Sequence, residues 1–320
     1  MNDPTQRREP PLDPGIDAAY ERARALGAKP RDLGDIPGAR EQLRREQSWW
    51  RDQVPPLAEL RDDTLKLGKR DAAIRIYRPK AESRSPVIVY LHGGGWCLGD
   101  LDSHINVAAG LALNADAIVI GLAYAKAPEA PFPKPLDEAV AAVRALRGAE
   151  GRRLGVDASR VGLAGDSAGA NLALAAAISL RDAGTPVQAL GLFYGVFDFD
   201  LDKASYRQFG DGRFGLSRRE MAQFLDYYAP APTRRDDPRL APYHADLRDL
   251  PPSYLLACGR DVLRDDSLRL AAKLAEAGSA FRLEMLPGAT HGFLRFGSAV
   301  PLASSALRDA GTYLRGVLVP

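Results

Sequence analysis

Residues 160–180 read RVGLAGDSAGANLALAAAISL. An apolar run, then Gly165-Asp166-Ser167-Ala168-Gly169, then an Ala- and Leu-rich stretch with helical spacing spell strand, sharp turn and helix. In that context a G-x-S-x-G motif holds its serine on a strained bend at the top of a sheet. The flanking glycines leave room for the strand to reverse into the helix. The plain alternative is a helix N-terminus in which Asp166 or Ser167 only caps.

Further apolar or β-branched runs lie at 72–77, 87–91, 117–124, 189–196, 253–259 and 281–286, and several are apolar on both faces. Helical stretches at 136–146, 168–182, 267–277 and 304–317 alternate with them. That rhythm predicts an α/β protein with a mainly parallel sheet covered by helices. Two segments interrupt it: residues 1–55 carry helix-like patterns, and 198–237 form an aromatic, charged insertion. Both are expected to cap the carboxyl ends of the strands, leaving 56–197 and 238–320 as two parts of one core. Helices merely packing aromatic faces on that core are the alternative.

The chain has 320 residues, 43 basic and 41 acidic, for a net charge of +2. Nothing in that balance pulls toward nucleic acid or anionic lipid. The start, MNDPTQRREPPLDPG, has no apolar stretch of the kind found in a secretory signal, and no run reaches the roughly 20 apolar residues of a membrane span. A cytoplasmic protein is expected. Cys97 and Cys258 stand far apart, with no metal-ligand spacing, and read as small buried hydrophobes.

A serine hydroxyl needs a base and a group that orients the base. Of four histidines, His291 lies in the loop-like LPGATHGFL after the last strand, where Gly288 and Gly292 are expected to free the loop to aim the ring. His92, His104, at a predicted helix start, and His244 read as structural. The orienting acid should follow a strand between serine and histidine, and Asp261 does so. Asp265 and Asp266, just before a helix, read as helix N-terminal charges and caps. The glycine run in VIVYLHGGGWCLGD (87–100) then has a purpose. Bare N–H groups of Gly94 and Gly95, with Ala168, would face the oxygen that becomes negative when a carbonyl is attacked.

The segments HGGGWCLGD, YAKAPEAPFPKPLDEA, GDSAGANLAL, LPPSYLLACGRDVLRDD and HGF, in this order, resemble the hormone-sensitive lipase-like branch of the α/β-hydrolases, the bacterial family IV esterases, from about residue 60 to the end. The resemblance implies a Ser167-His291-Asp261 triad, an oxyanion hole of Gly94, Gly95 and Ala168, no cofactor or metal, and short to medium acyl esters as substrates. Homodimers are common among such esterases. The family commonly has Arg-Leu at Ala125-Lys126, glycine at Ala170 and proline at Val262, so the packing of YAKAPE does not carry over in detail. Cap aromatics (Trp49, Trp50, Phe209, Phe214, Phe224, Tyr227, Tyr228) suggest an apolar pocket. An amidase or acyltransferase fits the same triad. A receptor on this scaffold would be expected to lack a triad member, and HGF is intact.

Overall fold

A computed structural model describes residues 11–51, 54–68, 70–81 and 85–319. The parts of the expected N-terminal cap at 1–10, 52 and 53, and of the first core part at 69 and 82–84, lie outside the described residues, as does residue 320.

Eight strands form one sheet: β1 (Glu59–Lys66), β2 (Asp71–Arg78), β3 (Ser85–Leu91), β4 (Ile118–Leu122), β5 (Val156–Asp166), β6 (Ala189–Phe193), β7 (Ser253–Arg260) and β8 (Phe281–Thr290). Their order is β1-β2-β4-β3-β5-β6-β7-β8, with the β1–β2 and β2–β4 pairings antiparallel and the rest parallel. The helices are α1 (Pro14–Ala25), α2 (Ile36–Ser48), α3 (Ile105–Ala115), α4 (Lys134–Leu146), α5 (Ala149–Leu154), α6 (Ala168–Asp182), α7 (Ala204–Phe209), α8 (Arg218–Tyr228), α9 (Arg264–Glu276) and α10 (Pro301–Leu318).

Strand alternation sorts the core into two layers. Val87, Val89 and Leu91 of β3 pack with α4 and α6, whereas Ile88 and Tyr90 pack with α3 and α10. Both faces are therefore covered, which is why these strands read as continuous apolar runs. β1 was not legible. Its sequence ELRDDTLK offers one fully buried side chain, Leu65, and it is laced to its surroundings by Arg75 with Asp62, Arg78 with Glu59 and Arg153 with Asp63. Such charge is what an edge strand carries in place of apolar alternation.

Two predicted boundaries move for identifiable reasons. The 189–196 strand stops at Phe193 because Tyr194 turns the chain with φ 37°. The 281–286 strand runs on to Thr290, past a register shift opposite Gly259. Gly288 therefore lies inside β8 and gives His291 no loop freedom. A Cβ there would stand 2.9 Å from the Asp13 nitrogen, and the Asp13 N–H donates to the Gly288 carbonyl at 3.0 Å. Gly288 admits the N-terminal segment, while Gly292, at φ 75°, makes the turn after the histidine.

Candidate active site

Ser167 directly follows β5 and precedes α6, with φ 55° and ψ −121°. The serine N–H donates to the Phe193 carbonyl at 2.9 Å. A Cβ on Gly165 would stand 2.4 Å from the Gly169 backbone, and one on Gly169 would stand 1.9 Å from the Leu91 oxygen. No other residue fits either position without moving β3 or α6. Asn171, the polar residue in the buried first turns of this helix, donates from Nδ2 to the carbonyls of Val196 and Leu240, tying α6 to both ends of the 198–237 insertion.

His291 follows β8, and Asp261 follows β7. The imidazole Nε2 lies 3.0 Å from Ser167 Oγ, and Nδ1 lies 2.7 Å from Asp261 Oδ2. Asp261 is fully buried, and its other oxygen accepts from the Leu263 N–H at 2.9 Å. With the Asp261 oxygen accepting on one side, Nδ1 carries the proton and Nε2 is left as an acceptor for the serine hydroxyl. Tyr194 meets the imidazole edge-on at 5.2 Å.

The glycine run leaves β3 on the same edge of the sheet. Gly94 and Gly95 have φ of 117° and 59°. Their N–H groups, and that of Ala168 at the start of α6, find no acceptor among the described residues. Gly93 differs from its neighbours. Its N–H donates to Asp166 Oδ1 at 2.8 Å, an oxygen that also accepts from the Tyr90 hydroxyl at 2.6 Å. Asp166, the variable residue of the serine motif, thus fastens the glycine loop to the serine's bend. Burial opposes its charge, but His104, Tyr90 and Gly93 together hold its carboxyl well below the usual range. Sequence reading missed this role, since nothing local to 160–180 says which loop lies opposite.

His92, His104 and His244 are where structural histidines belong. His92 stacks on Tyr124 at 4.4 Å, and burial, with His104 and Lys126 nearby, pushes its pKa down to about 3. His104 reaches Asp166, and His244 reaches Asp198. Asp265 and Asp266 stand in the first turn of α9 as expected, but they do not cap it. Asp265 accepts from the Ser205 N–H, and Asp266 accepts from the N–H groups of Phe197 and Asp198 and pairs with Lys203 at 3.1 Å. They hold the insertion to the core. The reason is tertiary: 197–205 crosses above the start of α9 and presents unpaired backbone donors there.

The YAKAPE stretch is anchored from outside the core. Arg40 of α2 donates to the carbonyls of Cys97 and Ala127 and forms a bidentate pair with Glu129, both bonds at 2.8 Å. Lys126 donates to the Gly99 carbonyl, and burial pushes its pKa down to about 8.

A cavity of about 930 Å³ opens over the serine. Of the aromatics singled out, Trp49, Trp50 and Phe224 line it; Phe209, Phe214, Tyr227 and Tyr228 do not. Phe224 lies on the glycine loop, so close that a Cβ on Gly95 would stand 2.3 Å from its ring. Tyr228 instead stacks on buried Trp96 at 4.4 Å. Among the described residues, no cluster of three or more His, Cys, Asp or Glu side chains is arranged to hold a metal, and no helix is long and apolar enough to cross a membrane.

The model of a family described by the α/β-hydrolase fold matches residues 88–295. The carboxylesterase NlhH of Mycobacterium tuberculosis is 38% identical over 265 residues, covering 79% of this chain and 82% of its own length. An acetyl esterase of Salmonella schwarzengrund is 34% identical over 288 residues, covering 88% and 87%. Among solved structures, a thermostable esterase from Pseudomonas putida superposes with a TM-score of 0.89 at 30% identity over 97% of this chain and 99% of that one. The Pyrobaculum calidifontis esterase gives 0.88 at 29% identity over 97% and 100%.

Proposed function

Because the chain belongs to the hormone-sensitive lipase-like branch of the α/β-hydrolase family and is a carboxylic ester hydrolase, we propose that Ser167, His291 and Asp261 perform the hydrolysis. Ser167 Oγ attacks the ester carbonyl while His291 Nε2 takes the hydroxyl proton. Asp261 keeps that proton-accepting nitrogen turned toward the serine and stabilises the imidazolium. The carbonyl oxygen, now negative, takes the N–H groups of Gly94, Gly95 and Ala168, each such donor contributing about 2.7–4 kcal/mol to the transition state. As the carbonyl re-forms, the C–O bond to the alcohol breaks and His291 returns its proton to the leaving oxygen. Water then repeats the sequence on the acyl-serine, releasing the acid.

One observation carries this reading: a single imidazole bridges Ser167 at 3.0 Å and Asp261 at 2.7 Å. The cavity of about 930 Å³ has room for a small-molecule ester, and the family resemblance suggests a short to medium acyl length. In this proposal α1, α2 and the 198–237 insertion act together as the cap that walls the cavity. A cytoplasmic setting fits Cys97 and Cys258, which are both free and buried.

Aryl esters of increasing acyl length, run beside matched anilides, test the substrate class. Ser167→Ala is expected to lower ester turnover by several orders of magnitude with the fold intact. Retention of most activity would refute the assignment, and comparable rates on anilides would make the enzyme an amidase.

A further inference from the structure

The cavity above Ser167 holds charge that ester hydrolysis does not use. Arg31, in the loop between α1 and α2, and Arg295, four residues beyond His291, both line it. Each guanidinium is under-committed. Arg31 Nε is sealed from solvent with no acceptor, and the side chain's partner is Glu46, 3.4 Å from Nη2. Arg295 gives Nε to the Gly292 carbonyl at 3.3 Å, and its two Nη groups find no acceptor among the described residues. The Arg295 guanidinium folds back over Gly292, where a Cβ would stand 3.2 Å from Nη2, so it borders the residue next to the catalytic imidazole.

The carboxylates of the same cavity are differently placed. Glu46 is shared between Arg31 and the Gln42 amide, and Glu220 accepts from the Ser217 N–H and hydroxyl. Asp32 accepts from the Gly34 N–H, and Asp211 from the Arg213 N–H. Asp166 is occupied below by Tyr90 and Gly93. Each of these carboxylates accepts at least one hydrogen bond, whereas Arg31 Nε and the Arg295 Nη groups find no acceptor among the described residues. Burial lowers the Arg31 pKa, and the charge of Arg295 lowers it further, so the two cations share a region that an anion would relieve. Of the exposed charges in the same lining, Arg24, Lys29 and Arg219 outnumber Asp32 and Asp211 by one.

We propose that this hydrolase prefers esters bearing a carboxylate, which it seats between Arg31 and Arg295. The inference rests on Ser167 being the nucleophile of that cavity. The carboxylate can belong to the acid or to the alcohol of the ester, and the test separates the two.

Two matched pairs serve as substrates: the 4-nitrophenyl monoester of adipic acid beside 4-nitrophenyl hexanoate, and 4-carboxyphenyl butyrate beside 4-carbamoylphenyl butyrate. The wild-type enzyme should favour the anionic member of at least one pair by roughly tenfold or more in kcat/KM, the scale of a charge-assisted hydrogen bond. Arg31→Gln and Arg295→Gln should each collapse that ratio, chiefly through KM, and Arg295→Lys should retain part of it. The pair that responds identifies the side of the ester. In the wild-type enzyme, adipate should also inhibit hexanoate ester hydrolysis competitively and more strongly than adipamide, a readout that needs no variant to fold. No preference in either pair, a preference that survives both Gln substitutions, or adipate no better than adipamide would overturn the proposal. A failure of the nucleophile assignment looks different: neutral-ester turnover would then survive Ser167→Ala.

Discussion

Around Ser167 every proposed reacting group leaves the end of a strand: Gly94 and Gly95 after β3, the serine after β5, Asp261 after β7 and His291 after β8. The wall above comes instead from α1, α2 and the 198–237 insertion, and side chains hold much of it. Arg40 clamps YAKAPE, Asp265 and Asp266 catch the insertion's backbone, and Tyr227 donates to the Leu33 carbonyl to join the two capping segments. Ladder hydrogen bonds fix strand ends to within the tolerance that proton transfer needs. Side-chain clasps fix a wall less tightly, and a wall that must admit substrates tolerates that. Substitutions at the strand ends should therefore change kcat with little loss of stability. Substitutions in the clasps should do the reverse.

The largest effect is expected at Asp261. Asp261→Asn reverses the hydrogen-bond demand on Nδ1, favours the wrong imidazole tautomer and should lower kcat by about 10⁴-fold. Stopped assays beside thermal melts check it, and a variant that loses its fold together with its activity would blur the distinction between strand ends and wall.

Gly95→Ala comes next. Its Cβ would meet the Phe224 ring at 2.3 Å, at a backbone φ of 59° that disfavours alanine. Displacing one oxyanion donor should cost roughly 10²-fold or more in kcat. If the clash is the cause, adding Phe224→Ala recovers part of that loss. Failure to recover would leave backbone strain as the whole explanation and weaken the role given to the wall.

Arg40→Ala tests the clasp. Two backbone carbonyls and a carboxylate lose their donor together, so stability to denaturant should fall by about 1–3 kcal/mol while kcat on small esters changes little. A fall in kcat as large as that of Gly95→Ala would show that wall and strand ends are not separable.

The smallest effect is a pH dependence built into the glycine loop's own support. His92 has its folded pKa depressed to about 3 from an ordinary 6.5. Between those values the unfolded chain binds the proton and the folded one does not, so stability is full above about 6.5 and drains away on acidification. Going from pH 7 to pH 5 should cost about 2 kcal/mol from this group, and His92→Asn should flatten that slope in melts at the two pH values. An unchanged slope would assign the acid sensitivity elsewhere.

Much was legible in the residues themselves. The bend at Gly165 to Gly169, the bare run at Gly94 and Gly95, an acid just past a strand and a histidine just past the next announce their chemistry because each depends on a local backbone shape that few residues allow. The continuous apolar runs gave the parallel sheet for the same local reason. β1 escaped because an edge strand is held by charges whose partners lie elsewhere in the chain. Asp265 and Asp266 were misread as caps because a carboxylate in a first helical turn looks the same whether it serves its own helix or a passing strand exit. The roles of Asp166, Arg40 and Gly288 were likewise silent, since each is defined by what crosses above it. The sequence determined the fold class and offered the proposed reacting groups, whose demands are met within a few residues. Tertiary structure alone decided which loop Asp166 grips, which ring seals Gly95 and where Arg31 and Arg295 face, because those depend on contacts between segments far apart along the chain.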